Sequence, residues 1–142
     1  VVQYPHHERF GGGREDLKTT AAILLETGGD LVVDEVEVPA LCHGQALVKV
    51  LVTRICGSQI GEIDAVKGPD RYLPHLLGHE ATVEILELGP GIRHLQVGDR
   101  AVAHWRPGEG ADGGGTRYRW KGRECNAGPI TTFQRVSVIP AT

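Results

Sequence analysis

The sequence predicts a mainly β domain, a closed or partly open barrel that carries one or two short helices. Twenty glycines and eight prolines in 142 residues break the chain into short segments. Between these turns valines recur at even steps, the period of a strand with one buried face. Frequent turns between short strands are the pattern of a barrel rather than of a helical bundle. With 40% hydrophobic and 23% charged residues, the composition is globular, and the length suits one domain around a single core.

Residues 1–18 read as a flexible lead-in, because Gly11-Gly12-Gly13 sits among charged residues and no hydrophobic period is visible. The His6-His7 pair there is expected to belong to a solvated tail rather than to a metal site. The opening run VVQYPHHERFGGGRED has no apolar core, so no secretory signal is expected. Methionine is absent even at position 1, and the sequence is expected to lack its start.

Residues 19–142 form the domain. TTAAILLE from Thr19, the turn Thr27–Asp30 and LVVDEVEVP, with Val32, Val36 and Val38 at even steps, predict a hairpin. Pro39–Gln45 is a turn in which Cys42 and His43 are adjacent, without the surrounding spacing of a ligand set. QALVKVLVTRIC is the next strand, with Ala46, Val48 and Val50 on one face and Leu47 and Leu51 on the other. GSQIGEIDAV predicts a short helix with Ile60, Ile63 and Asp64 at helical offsets, ended by Lys67-Gly68-Pro69-Asp70.

After Pro74, which bends the chain, Leu76-Leu77 lead to Gly78, and ATVEILEL predicts a long strand. GPGIRHLQVGDRAVAHW reads as a turn, a short extended piece, a Gly98-Asp99 turn and a further strand. Residues 107–128 are rich in glycine and charge and predict a surface loop. Gly108 to Gly113 formally match G-x-G-x-x-G, but more glycines follow where a helix should open, and Glu109 and Asp112 would repel pyrophosphate. No dinucleotide site is expected there. RYRWKGR at 117–123 alternates cations with aromatics, which favours an exposed hairpin over a base-stacking surface. ITTFQRVSVIP closes the domain as a final strand with Ile130, Phe133, Val136 and Val138 available for the core.

A formal charge of −3 and a pI near 6.2 argue against nucleic acid or an anionic membrane as the main partner. No apolar run approaches the roughly 20 residues of a membrane helix. Three cysteines, at 42, 56 and 125, are too few and odd in number for a disulfide scaffold, so a reducing, cytoplasmic setting is expected.

The chemistry concentrates between Ile55 and Gly89. Cys56 precedes the short helix and His79 precedes a strand, an arrangement that brings two metal ligands together from different elements. Gly57 and Ser58 free the backbone and add a hydroxyl. Gly78 permits close approach before His79, and Glu80 adds a carboxylate as either an outer partner of the imidazole or an alternate ligand.

Cys56-Gly57-Ser58, Pro74 through Gly78-His79-Glu80, Gly89-Pro90-Gly91 and Val97 to Val102 resemble the zinc-dependent medium-chain alcohol and polyol dehydrogenases, in their N-terminal GroES-like catalytic domain. The likeness runs from about Thr19 to Pro140 and implies a GroES-like, partly open β-barrel. It further implies that Cys56 and His79 are two of three protein ligands to a catalytic zinc, with Ser58 passing the alcohol proton towards solvent and Glu80 beside the metal. The family's third zinc ligand is a cysteine beyond residue 142, so the zinc site is expected to be incomplete here. The nucleotide-binding domain is expected to be absent too, so that NAD or NADP would bind only with that domain. No cofactor-binding residue is expected in this chain. Many relatives have Asp and His where this chain has Gln59 and Gly61, and glycine where it has Val83. A structural zinc is not expected, since Cys125 is the sole cysteine between His104 and Ile130.

The resemblance therefore implies the substrate- and zinc-binding part of an NAD(P)-linked dehydrogenase. It would act on a small alcohol or polyol together with a nucleotide-binding domain or subunit, and would be inactive alone. The alternative is a free-standing GroES-like binding or assembly module without catalytic activity, self-associating through the surface the missing domain would cover.

Overall fold

The computed structural model describes residues 17–106, 108–109 and 113–141. Most of the expected lead-in, including His6 and His7, lies outside these residues, as do Gly110, Ala111 and Asp112 of the 108–113 run. The chain folds as β1 (Lys18–Leu24), β2 (Leu31–Glu37), β3 (Gln45–Thr53), α1 (Gly57–Ile63), β4 (His75–Leu76), β5 (Glu80–Leu88), β6 (Arg100–His104), β7 (Arg117–Trp120), β8 (Arg123–Asn126) and β9 (Val136–Pro140). No helix among the described residues is long and apolar enough to cross a membrane.

Two sheets share the work. Strands β1, β2, β7, β8 and β4 close into a barrel, while β6, β5, β3 and β9 form a four-stranded sheet in that order. The expected first hairpin forms, with Leu24 opposite Leu31. β3 is one of the two inner strands of its sheet, antiparallel to both β5 and β9. Its alternation splits the apolar residues between two cores, as a period of two requires. Leu47 joins Ile23, Val36, Leu76, Tyr118 and Val138 inside the barrel. Ala46 and Val48 join Val83, Ile85 and Ile139 on the other face. Each fully buried Ile, Leu or Val contributes about 1.5–3 kcal/mol relative to exposure, so the barrel side carries most of the packing free energy.

Three local readings differ from the sequence expectation. The 117–123 run does form a hairpin, β7 against β8, but it is not an exposed one: Tyr118 is 0% and Trp120 8% exposed. Strand alternation turns both aromatics into the barrel and leaves Arg117, Arg119 and Lys121 outside. The short piece after Gly91 lies in a loop, from which Ile92 and Leu95 pack against the second core. The short strand β4 was not foreseen; two residues suffice because β1 and β8 pair with it on either side. In α1 the buried side chain is Gln59, whereas Ile60 is 52% exposed.

Candidate metal centre

Cys56 is the N-cap of α1, with extended backbone at φ −99° and ψ 152°. β3 ends at Thr53, three residues before Cys56, so the thiol sits where the sheet hands the chain to the helix. Ser58 is exposed in the first helical turn. The donors of Ser58, its hydroxyl and then its backbone N–H, hold the neighbouring Cys56 thiol below its ordinary pKa; Arg54 acts in the same direction, and burial and Glu80 oppose. Hydrogen bonds to the thiolate favour it for the reason that any anion is favoured by aimed donors.

His79 and Glu80 arrive from the other side, at the start of β5. Gly78 makes this possible in two ways. Its φ of +92° lies in the left-handed region, and a Cβ there would stand 2.6 Å from the Phe133 ring and 2.9 Å from the Phe133 nitrogen. Only glycine satisfies both conditions. The segment is then tied down: Thr132 and Phe133 donate backbone N–H bonds to the Leu77 carbonyl at 3.2 and 3.1 Å, and the Thr53 hydroxyl donates to the Glu80 carbonyl at 3.0 Å.

Together these elements bring Cys56, His79 and Glu80 to one place, with one ligand atom from each all within 4.8 Å of one another. All three residues are half-buried, and they are the one such triple of donors found among the described residues. A thiolate, an imidazole and a carboxylate are a donor set that zinc accepts. Cys42 and His43 are exposed in the β2–β3 turn, and Cys125 is buried in the barrel. Ser58 stands beside Cys56 at the rim of the cluster.

Two neighbours of the cluster escape a motif-based reading. Gln59 is 1% exposed; its Oε1 accepts the Cys56 backbone N–H at 2.9 Å, and its Nε2 stands 2.5 Å from His79 Nδ1. The spacing of a capping box, with Gln three residues after the N-cap, was the available signal. His104 lies directly opposite Glu80 in the β5–β6 ladder. It lines, with Glu80, Arg54, Val52 and Val102, an open cavity of about 350 Å³ beside the cluster. A larger groove of about 690 Å³ lies over the second core and shares Val102, Ala103 and His104 with this cavity, but neither Cys56 nor His79 lines it.

Fold and cluster define a class: a two-sheet β-barrel domain in which the end of β3, the start of α1 and the start of β5 present a mixed sulfur, nitrogen and oxygen donor set. The chain belongs to the alcohol dehydrogenase GroES-like domain family, whose pattern matches residues 42–142. It is 36% identical to alcohol dehydrogenase 1 of Pisum sativum over 86 residues, 61% of this chain and 22% of that protein. It is 40% identical to L-threonine 3-dehydrogenase of Thermococcus kodakarensis over 74 residues, 51% of this chain and 21% of that one. The chain thus spans about a fifth of the length of these curated relatives. In fold it is similar to the alcohol dehydrogenase zinc-binding domain protein of Burkholderia ambifaria, with TM-score 0.75, 20% identity and coverage of 88% of this chain and 40% of that one. Benzyl alcohol dehydrogenase of Acinetobacter calcoaceticus is likewise similar, with TM-score 0.69, 22% identity and coverage of 87% and 39%.

Proposed function

We propose that this chain is the substrate- and zinc-binding part of a zinc-dependent, NAD(P)-linked alcohol or polyol dehydrogenase, working in the cytoplasm with a nucleotide-binding domain or subunit that supplies the nicotinamide. The observation that carries this reading is the convergence of Cys56, His79 and Glu80 within 4.8 Å. Bound there, zinc would supply a Lewis acid that stabilises an alkoxide while hydride passes to the nicotinamide.

The chain's own residues have separable tasks. Cys56, with its thiol pKa lowered by Ser58, offers an anionic sulfur at low proton cost. His79 and Glu80 offer a nitrogen and an oxygen from the start of β5, which Gly78 and the Thr53 hydroxyl hold in place. Ser58, exposed at the rim, takes the alcohol proton towards solvent. The open cavity beside Glu80 gives a small alcohol a place to approach.

Metal analysis of the purified chain tests the reading. Zinc should bind near one equivalent and be lost in Cys56→Ala and in His79→Ala, while Cys42→Ala keeps it. Zinc binding that survives both cluster substitutions would overturn the proposal.

A further inference from the structure

We propose that Gln59 sets the proton position on His79 and thereby weakens this chain's hold on a divalent metal, making Gln59 the positioning residue that tunes the site. A glutamine amide has one accepting end and one donating end. The accepting end is already assigned, because the Cys56 backbone N–H can only donate, and it meets Oε1 at 2.9 Å. The donating end therefore faces His79, with Nε2 at 2.5 Å from Nδ1. An Nδ1 that receives a hydrogen bond must offer its lone pair. In the neutral ring the proton then resides on Nε2.

This arrangement works against metal binding from both sides of the ring. A metal ligand needs a free lone pair, yet Nδ1 spends its pair on Gln59 and Nε2 carries the hydrogen. To ligate, His79 must move its proton to Nδ1, where it would confront the amide NH₂. Turning the amide over does not resolve the conflict, since the NH₂ would then face the Cys56 N–H. Gln59 is 1% exposed, so water cannot take over the abandoned contact.

A carboxylate at this position has no such conflict. Both oxygens accept, so one can keep the Cys56 N–H while the other takes an Nδ1–H and leaves the Nε2 lone pair free for metal. Gln59→Glu preserves length and shape, replaces the donating NH₂ with a second accepting oxygen and adds a negative charge, so the position of the His79 proton, and not affinity alone, reports the effect on the ring. Outer partners of ligating histidines are worth about 10–100-fold in metal affinity.

The inference rests on the metal reading for its consequence, and on hydrogen-bond geometry alone for its premise, so the experiment separates the two. Long-range ¹⁵N–¹H spectra of the metal-free, full 142-residue chain at mildly alkaline pH report which nitrogen of His79 bears the proton. Nε2–H is expected, and an Nδ1–H signal in the native chain would overturn the proposal whatever the metal does. Zinc affinity is then measured by competition with a chromophoric chelator in the native chain and in Gln59→Glu. The variant should shift the His79 proton to Nδ1 and bind zinc about 10–100-fold more tightly. Equal or weaker binding by a folded variant would overturn the proposed effect on affinity. If neither protein binds zinc, the metal reading fails, while the native spectrum still decides the assignment of the ring proton.

Discussion

Leu47 and its neighbours Ala46 and Val48 are consecutive on β3, all at most 1% exposed, and they face two differently built interiors. On the barrel side, Leu47 meets large side chains from several strands: Ile23 from β1, Leu76 from β4 and Tyr118 from β7. Those strands close on themselves, so the interior is sealed. On the other side, Ala46 and Val48 join Val83, Ile85 and Ile139, with the small side chains of Ala81, Ala103 and Ala141 completing the cluster. That face opens into the 690 Å³ groove, with Trp105 64% exposed on its rim. One strand thus belongs to a closed core and to an open one, and cavity energetics should distinguish them.

The largest expected effect is on the closed side. Ile23 is 0% exposed and its β-strand neighbours are fixed by pairing on both edges, with β2 and with β4. Ile23→Ala should cost about 2–5 kcal/mol, because the barrel cannot collapse around the lost methyl groups. Leu95 packs half-buried against the open core from a loop, and Leu95→Ala should cost less, about 1–2 kcal/mol, because part of its surface already meets solvent and the open face beside it can relax. Urea denaturation of the two variants measures both values. Equal costs would mean that the open face is as tightly packed as the barrel, and the contrast drawn from β3 would fall.

A smaller effect sharpens the same contrast by probing polar satisfaction rather than volume. The barrel interior contains a buried hydroxyl: Tyr118 Oη accepts the Val138 backbone N–H at 2.8 Å and a Gln134 Nε2 hydrogen at 2.8 Å. Burial raises the Tyr118 pKa, with hydrogen bonds from Ser137, Val138 and Gln134 opposing, so the group stays a neutral phenol. Tyr118→Phe keeps the ring and strands two donors, for a cost of about 1–3 kcal/mol in denaturant unfolding. Gln134 Oε1 already has no partner, so the amide is poorly placed to compensate. An unchanged midpoint would indicate that water reaches this part of the barrel.

How much of this was legible in the sequence follows from which side of the contrast a residue serves. Even spacing of Val36 and Val38 and the Gly-Gly turn specified the first hairpin, because a period of two and a turn are local properties. The alternation of Ala46, Leu47 and Val48 specified that β3 has two apolar faces. The burial of Tyr118 and Trp120 was not legible, since RYRW is equally consistent with an exposed ribbon until β2 and β8 supply a barrel to close over it. β4 escaped for the same reason, being two residues long and defined by its partners. At the site, Cys56, Ser58, His79 and Glu80 were visible as motif residues. Gln59 stood out only as a departure from relatives, because its role depends on a backbone N–H and a ring nitrogen that meet across 20 positions of sequence.

The smallest effect concerns two thiols, Cys125 in the closed core and Cys42 at the surface. Cys125 is 0% exposed in the barrel, and burial raises its pKa to about 11 from the ordinary 9.0. In the unfolded chain this thiol ionises near its ordinary value, so between about 9 and 11 the unfolded state holds fewer protons than the folded one. Stability from this group is therefore full below pH 9 and declines as pH rises towards 11. The melting temperature of the native chain should fall over that range more than that of Cys125→Ala, so the gap between them narrows with rising pH. A thiol reagent at neutral pH should modify exposed Cys42 quickly and Cys125 only on unfolding. If Cys125 reacted as fast as Cys42 in the folded chain, the barrel would be opening on the timescale of labelling, and the closed core would differ from the open one in shape but not in protection.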